Sequence, residues 1–132
     1  MPTFDGALRL SADGPLPPDE AWARFTEPRH WPGWSPQIRD VDYPHDVVRP
    51  GTSGRVTGVG GLVVLFRVDA VDHDTRTWSW SVRSGPVRLA LDHGVDAVAG
   101  GSRAWVVVRA LWPVALGYAP LARLALGRLV RA

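Results

Sequence analysis

Apolar and polar residues alternate with a period of two along most of the chain between residues 54 and 111. This period is typical of β-strands that bury one face and expose the other. Turn-forming residues separate the alternating segments, and the short spacing favours an antiparallel meander of hairpins. The predicted strands cover residues 54–59, 62–72, 77–83, 87–98 and 103–111. In the second of them, the pattern assigns one shared face to Leu62, Val64, Phe66, Val68 and Ala70.

Helical signals flank this run on both sides. A strand at residues 4–11 leads through Pro17 and Pro18 into a short helix that should stop before Pro28, and a further strand is predicted at 38–43. Residues 114–131 are rich in Leu and Ala and predict a final amphipathic helix that Pro120 should kink or split. Such a helix has to bury its apolar stripe on the sheet, which indicates an α+β fold. The predicted stripe consists of Leu121, Leu124, Ala125 and Leu129.

Several segments resemble the SRPBCC superfamily, also called the START or birch-allergen-like helix-grip fold. They are PDEAWARFTEP at residues 18–28, HWPGWSP at 30–36, the GGSR turn at 100–103 and the WP pair at 112–113. Within the superfamily, the chain is most similar to the polyketide cyclase/dehydrase and lipid-transport group, which has no universal catalytic motif.

The resemblance covers nearly the whole chain and implies a single domain over residues 1–132. It implies a helix-grip fold, in which a seven-stranded curved antiparallel sheet is wrapped around a long C-terminal helix and two short helices follow strand 1. It also implies an internal cavity for a hydrophobic ligand.

Composition excludes several classes of site and partner. The chain has no cysteine, and its four histidines lack the spacing of a metal site. All 15 basic residues are arginine, and they are spread along the chain instead of clustered as in nucleic-acid binders. No apolar run reaches the roughly 18 residues of a membrane span, and the N-terminus is unlike a secretory signal. We therefore expect a cytoplasmic monomer or weak homodimer that uses no metal or other cofactor and binds no nucleic acid.

His93 is the candidate for catalytic chemistry in the interior. The alternation places it on the strand face of Leu89, Leu91 and Val95, so it should point towards the final helix. An imidazole there could donate a hydrogen bond to a ligand carbonyl or act as a general base. The alternative interpretation is a buried histidine whose ring bonds to a neighbouring protein group.

Aromatic residues provide most of the remaining candidate binding surface. Trp78 and Trp80 are two residues apart on one strand, where they either stack on a flat ligand or simply fill the interior. Trp34 follows the short helical turn and either borders the entrance or fastens the loop to the sheet. The full predicted ligand-binding set is Trp34, Phe66, Trp78, Trp80, Leu91, His93, Val106 and Leu121.

Three functions are compatible with these features. The first is the binding of a small hydrophobic or aromatic ligand, lipid or polyketide-like, in a cavity between the sheet and the C-terminal helix. The second is a polyketide cyclase or dehydratase with His93 as its proton shuttle. The third is a protein-interaction module, because Trp105 shares the outer strand face with Arg103 and Arg109, and exposed Trp beside Arg is typical of interface hot spots.

Overall fold

The computed structural model describes residues 6–110 and 112–131, and the side chains of residues 7–110 and 118–131 within them. The chain begins with β1 (Gly6–Gly14), α1 (Pro18–Thr26), a 3₁₀ turn (Pro28–His30) and α2 (Trp31–Trp34). Six strands follow: β2 (Ile38–Asp42), β3 (Ser53–Gly58), β4 (Val63–Asp72), β5 (Thr77–Ser84), β6 (Val87–Val98) and β7 (Gly101–Ala110). A second 3₁₀ turn (Val59–Gly61) joins β3 to β4, and α3 (Trp112–Leu129) comes last. None of the helices described is both long enough and apolar enough to cross a membrane.

The strands form one antiparallel sheet in the order β1-β7-β6-β5-β4-β3-β2. Strands β2 to β7 are neighbours in chain order, as the predicted meander requires. β1 pairs along nearly the whole of β7, from Gly6 opposite Ala110 to Gly14 opposite Ser102. The predicted strands are confirmed with small shifts at their ends. Residues 4, 5 and 111, also predicted as strand, lie outside the described residues, as do the side chains of Trp112 and Pro113.

One face of the sheet carries the apolar core. α3 packs mainly on β1 and β7, while α1 packs on β6 and β7. α1 and α3 therefore cover one side of this face, and α2 packs on β2 at the opposite edge, which leaves the region over the middle strands for the cavity described below. The buried apolar residues of the sheet are Leu10, Val56, Phe66, Val68, Trp78, Val82, Leu91, Val95, Ala104, Val106, Val108 and Ala110.

The buried stripe of α3 differs from the predicted one. Leu121 is 43% exposed and Leu124 is 49% exposed, so their assignment to the buried stripe is wrong. The stripe that is buried has the i, i+3, i+4, i+7 spacing of one helix face, and its small alanines allow α3 to approach β1 and β7 closely. Pro120 was predicted to kink or split the helix, and the structure shows no split, because α3 continues through this residue. The buried side chains are Ala122, Ala125, Leu126 and Leu129.

A β-bulge between β4 and β5 changes the face of one predicted core residue. Val68 lies opposite Trp80, but the next pairs are Ala70 with Ser79 and Val71 with Trp78. The additional residue on β4 reverses the alternation beyond it. Ala70 is consequently exposed and Val71 half-buried, and the prediction that Ala70 shares a face with Val68 is wrong.

Hydrogen bonds fix the C-terminal end of α3 to the first part of the chain. The Arg24 guanidinium on α1 donates to the carbonyl oxygens of Leu129 at 2.9 Å and of Arg131 at 2.7 Å. The backbone N–H of Leu16 donates to the carbonyl oxygen of Val130 at 3.1 Å. These bonds satisfy carbonyl groups that the end of a helix leaves without intrahelical partners.

Candidate functional site

An internal cavity of about 460 Å³ lies between the sheet and α3. It forms over the middle strands, where the inward side chains of the sheet and the packed face of α3 do not meet. Most of its lining is apolar, and its polar or charged residues are Gln37, Arg83, Ser84 and Tyr118. The principal apolar lining residues are Ile38, Val56, Val64, Trp80, Val82, Leu89 and Leu91.

Exposed apolar side chains surround the mouth of this cavity. Val59 and Leu62 come from the connection between β3 and β4, Val87 begins β6, and Leu121 lies on α3. Their exposed fractions range from 41% at Val87 to 62% at Val59. Because these four residues line the cavity and also face the surface, they mark the place where a ligand can enter.

A stack of aromatic rings lies next to the cavity. Trp78 is sandwiched between Trp31, with ring centroids 5.9 Å apart and planes at 14°, and His93, with centroids 4.1 Å apart and planes at 11°. Trp80 meets Trp31 edge-on at 5.2 Å and Trp78 edge-on at 5.1 Å. This arrangement holds Trp80 in a fixed orientation at the inner wall of the cavity.

His93 is buried, with 6% of its surface exposed. Its Nδ1 lies 3.2 Å from the carbonyl oxygen of Trp78. A carbonyl oxygen only accepts hydrogen bonds, so Nδ1 carries the proton and Nε2 remains an acceptor in the neutral ring. Burial lowers the pKa of His93 from 6.5 to about 3, against the smaller raising effect of the Trp78 carbonyl. The ring is therefore neutral at physiological pH.

A second, much smaller compartment of about 50 Å³ adjoins His93. Gln37, Ile38, Trp80 and Tyr118 line both this compartment and the large cavity. A volume of this size is enough for about one water molecule. These four side chains therefore form a partition between the main cavity and the environment of His93.

The partition contains buried polar atoms that lack partners. Nε1 of Trp80 and Oε1 of Gln37 are buried, and neither has a hydrogen-bond partner among the described residues. Tyr118 borders both spaces, and burial raises the pKa of its hydroxyl to about 12, so the group stays protonated. Buried donors and acceptors are normally bonded, so a ligand or water that reached these two atoms would gain a hydrogen bond at each.

The structure divides the predicted ligand-binding residues into three groups. Leu91 and Leu121 line the large cavity, and Trp80 lines both spaces. Phe66 lines neither interior space, because its ring packs between Trp80 at 4.9 Å and Trp31 at 5.6 Å. The small compartment is lined by the remaining four, which are Trp34, Trp78, His93 and Val106.

Sequence reasoning missed Gln37 and Tyr118 of the partition and three of the four mouth residues, Val59, Leu62 and Val87. Gln37 lies just before β2 in a segment without periodicity, and Tyr118 lies one turn before the residues of the predicted helix stripe. The signal for Val59 was its position beside three glycines, and the alternation placed Leu62 on the strand face of Val64 and Phe66 without indicating the mouth. Two of these glycines, Gly60 and Gly61, have φ values of +78° and +82° and form a tight turn.

Trp105 lies on the outer face of the sheet, as predicted, but it is half-buried. Its ring covers Gly94 so closely that a Cβ atom on that glycine would come within 2.2 Å of the indole. The guanidinium carbon of Arg9 lies 4.7 Å from the ring centroid on the solvent side. Much of the indole surface is thus already used within the protein.

The antiparallel sheet, the helix that it surrounds and the apolar interior between them define a helix-grip protein. The sequence model of the family described as "Polyketide cyclase / dehydrase and lipid transport" matches residues 7–132. The chain belongs to this family, within the SRPBCC superfamily. None of the curated proteins matches the sequence.

Solved structures confirm the fold. Ara h 8.0201 is 20% identical with a TM-score of 0.69, over 94% of this chain and 97% of its own. Hypothetical protein jhp0584 from Helicobacter pylori is 12% identical with a TM-score of 0.72, over 94% of this chain and 84% of its own. DynU16, a putative protein in the dynemicin biosynthetic locus, is 21% identical with a TM-score of 0.71, over 92% of this chain and 46% of its own. At these identities the likeness shows the fold alone.

Proposed function

We propose that this protein binds a small hydrophobic or aromatic molecule in the cavity between the sheet and α3. The observation that carries the proposal is an apolar cavity of about 460 Å³ with an open, apolar mouth. Small-molecule sites typically occupy about 300–1,000 Å³ and are mostly apolar with a few polar groups. Affinity would come from apolar burial, at about 25 cal/mol per Å² removed from water.

The partition gives the ligand a polar requirement. The Trp80 N–H is a donor and the Gln37 carbonyl oxygen is an acceptor, and both are buried without partners among the described residues. Leaving such a group unpaired costs about 1–3 kcal/mol. A hydroxyl group donates and accepts at once, so we expect a ligand that presents a hydroxyl to the partition and its apolar body to the cavity.

The predicted contacts of the ligand follow from this orientation. Trp80, Leu91 and Leu121 would touch the ligand directly. Trp78 and His93, whose rings lie 5.1 Å and 5.7 Å from the Trp80 ring, would hold Trp80 in place from behind the partition. Trp34 and Val106 would line the small compartment without touching the ligand. Phe66 would support Trp80 from the side.

The geometry favours binding over proton transfer by His93. With a pKa of about 3, the ring is a weak base at neutral pH. Its Nδ1–H is already bonded to the Trp78 carbonyl, and the partition stands between the ring and the main cavity. A cyclase or dehydratase mechanism that uses His93 as a proton shuttle would need a large rearrangement of these contacts.

Calorimetric titration with 2-naphthol and 1-octanol tests the proposal. The informative variant is Leu121→Trp, which places an indole at the mouth of the cavity. Leu124→Trp is the matched control, because Leu124 is similarly exposed on the same helix but does not line the cavity. We expect binding by the wild type, a loss of about tenfold or more in affinity for Leu121→Trp, and little change for Leu124→Trp. Absence of binding by the wild type, or equal loss in both variants, would contradict the proposal.

A further inference from the structure

The outer face of the sheet pairs several of its arginines with aspartates. Arg55 bonds to Asp42 at 3.2 Å, and Arg103 bonds to Asp13 at 2.7 Å. Arg109 bonds to Asp92 at 2.6 Å, as the third such pair on this face. Neutral pairs of this kind leave little net charge on the strands that carry them.

One depression on the same face departs from this pattern. It has a volume of about 520 Å³, lies across β3 to β6 and is lined by three arginines: Arg67, Arg83 and Arg88. Ser53 and Ser81 add hydroxyl groups to its lining, and no acidic residue of the described chain is part of it. The depression therefore concentrates positive charge.

When no anion is bound, the sheet register makes this positive charge unfavourable for the stability of the sheet. Arg83 lies directly opposite Arg88 in the pairing of β5 with β6. Like charges in opposite positions of neighbouring strands destabilise a sheet. The acidic residue next along the strand from Arg67 is Asp69, whose carboxylate accepts a hydrogen bond from Ser81 at 2.7 Å and does not line the depression. An anion between the arginines would remove the repulsion.

We propose that this depression binds the diphosphate group of a small soluble phosphate ester. Guanidinium groups bind phosphate oxygens in pairs of parallel hydrogen bonds, and three of them around one concave surface suit a multiply charged group. The volume lies within the usual range for small-molecule sites. Leu65, which is 42% exposed in the same depression, provides apolar contact for the organic part of the ester.

The site and the proposed ligand cavity lie largely on opposite faces of the strand pair β5–β6, and they share three lining residues: Val82, Arg83 and Leu89. Arg67 and Arg88 line the depression but not the cavity, whereas Leu91 and Leu121 line the cavity but not the depression. The two proposals can fail independently, because one is tested with neutral apolar compounds and the other with a phosphate anion.

Calorimetric titration with inorganic pyrophosphate at low ionic strength is the test. We expect the wild type to bind, and Arg83→Gln and Arg88→Gln each to bind about tenfold more weakly, as the loss of a charge-assisted hydrogen bond predicts. Arg123→Gln is the matched control, since it removes the same charge from an exposed position on α3. Equal weakening in all three variants would show only a general charge effect and would overturn the proposal. Absence of binding by the wild type would overturn it too.

Two further measurements distinguish a specific site from a general attraction between charges. In low salt without pyrophosphate, Arg83→Gln should raise the melting temperature, because it removes the repulsion with Arg88. Pyrophosphate should then raise the melting temperature of the wild type more than that of the variant. Vesicles that contain phosphatidic acid provide the last comparison: binding to vesicles without binding to pyrophosphate would indicate a membrane surface as the partner and contradict a soluble ligand.

Discussion

Trp78 and His93 are joined twice, because their rings stack at 4.1 Å and the His93 Nδ1–H donates to the carbonyl oxygen of Trp78 itself. The two residues lie opposite each other on β5 and β6. The pair thus combines backbone register, ring stacking and a side-chain hydrogen bond at one position. It fixes the tautomer of the histidine and the orientation of the tryptophan against which Trp80 packs.

The burial of His93 predicts a specific pH dependence of stability. Its pKa is about 3 in the folded protein and about 6.5 when unfolded, so the unfolded chain takes up the proton first as pH falls. The destabilising contribution is absent well above pH 6.5 and grows as pH decreases towards 3. Between pH 7.5 and pH 5, the free energy of unfolding should fall by about 2 kcal/mol on this account.

Urea unfolding of the wild type and of His93→Gln at both pH values measures this effect. The variant is expected to be less stable at pH 7.5, but its free energy of unfolding should depend less on pH by that amount. The other titrating groups are common to both proteins and cancel in the comparison. An identical pH dependence in the two proteins would show that His93 does not titrate as proposed.

Gly94 and Trp105 should be strongly coupled. A methyl group at Gly94 would lie within 2.2 Å of the indole ring, so Gly94→Ala should destabilise the protein by about 1–3 kcal/mol. In a Trp105→Ala background the same change should cost much less. A double-mutant cycle by urea unfolding gives the coupling free energy. Additive effects of the two substitutions would contradict the close contact.

Arg24 should contribute to the stability of α3. Arg24→Met removes the donors to the carbonyl oxygens of Leu129 and Arg131, and we expect a loss of about 1–2 kcal/mol in the free energy of unfolding. Arg123→Met is a suitable control, because Arg123 is an exposed arginine on α3 itself. Equal effects of the two substitutions would indicate that the terminal hydrogen bonds add little.

The partition predicts ligand selectivity. The wild type should prefer 2-naphthol to 2-methylnaphthalene, which has nearly the same shape, by about tenfold. Trp80→Phe and Gln37→Leu should each reduce this ratio of affinities towards one. Trp34→Phe should leave it unchanged, because the Trp34 N–H is already bonded to the Arg24 carbonyl oxygen at 3.0 Å. An unchanged ratio in the first two variants would show that Trp80 and Gln37 do not distinguish a hydroxyl group from a methyl group on the ligand.

The sheet could be predicted because its signal is local. Alternation along β5, β6 and β7 identifies both the strands and the buried face, and His93 and Trp78 are correctly assigned to the interior by period alone. The prediction fails for Ala70, where an extra residue shifts the register. A bulge depends on pairing with a second strand, so a single strand sequence does not reveal it.

The cavity could not be predicted to the same degree. Ala125 and Leu129 are buried as predicted, but Leu121 and Leu124 are more hydrophobic than Ala122, so a pattern based on hydrophobicity selects them in place of Ala122 and Leu126. Close packing instead favours the small residue against the sheet. Gln37 and Tyr118 meet only because β2 and α3 border the same space. Their proximity depends on the tertiary arrangement, so no regular spacing of residues in the sequence indicates it.

The pairing of β1 with β7 also bears on how the chain reaches its native state. Gly6 lies opposite Ala110, so the first strand gains its hydrogen-bonded neighbour only after nearly all of the other strands have been synthesised. Long-range pairing of this kind is slow because the intervening loop must close first. The consecutive hairpins of β4 to β7 can form earlier from nearby segments. Docking of β1, together with the Leu16–Val130 bond next to it, is thus expected to be among the last steps of folding.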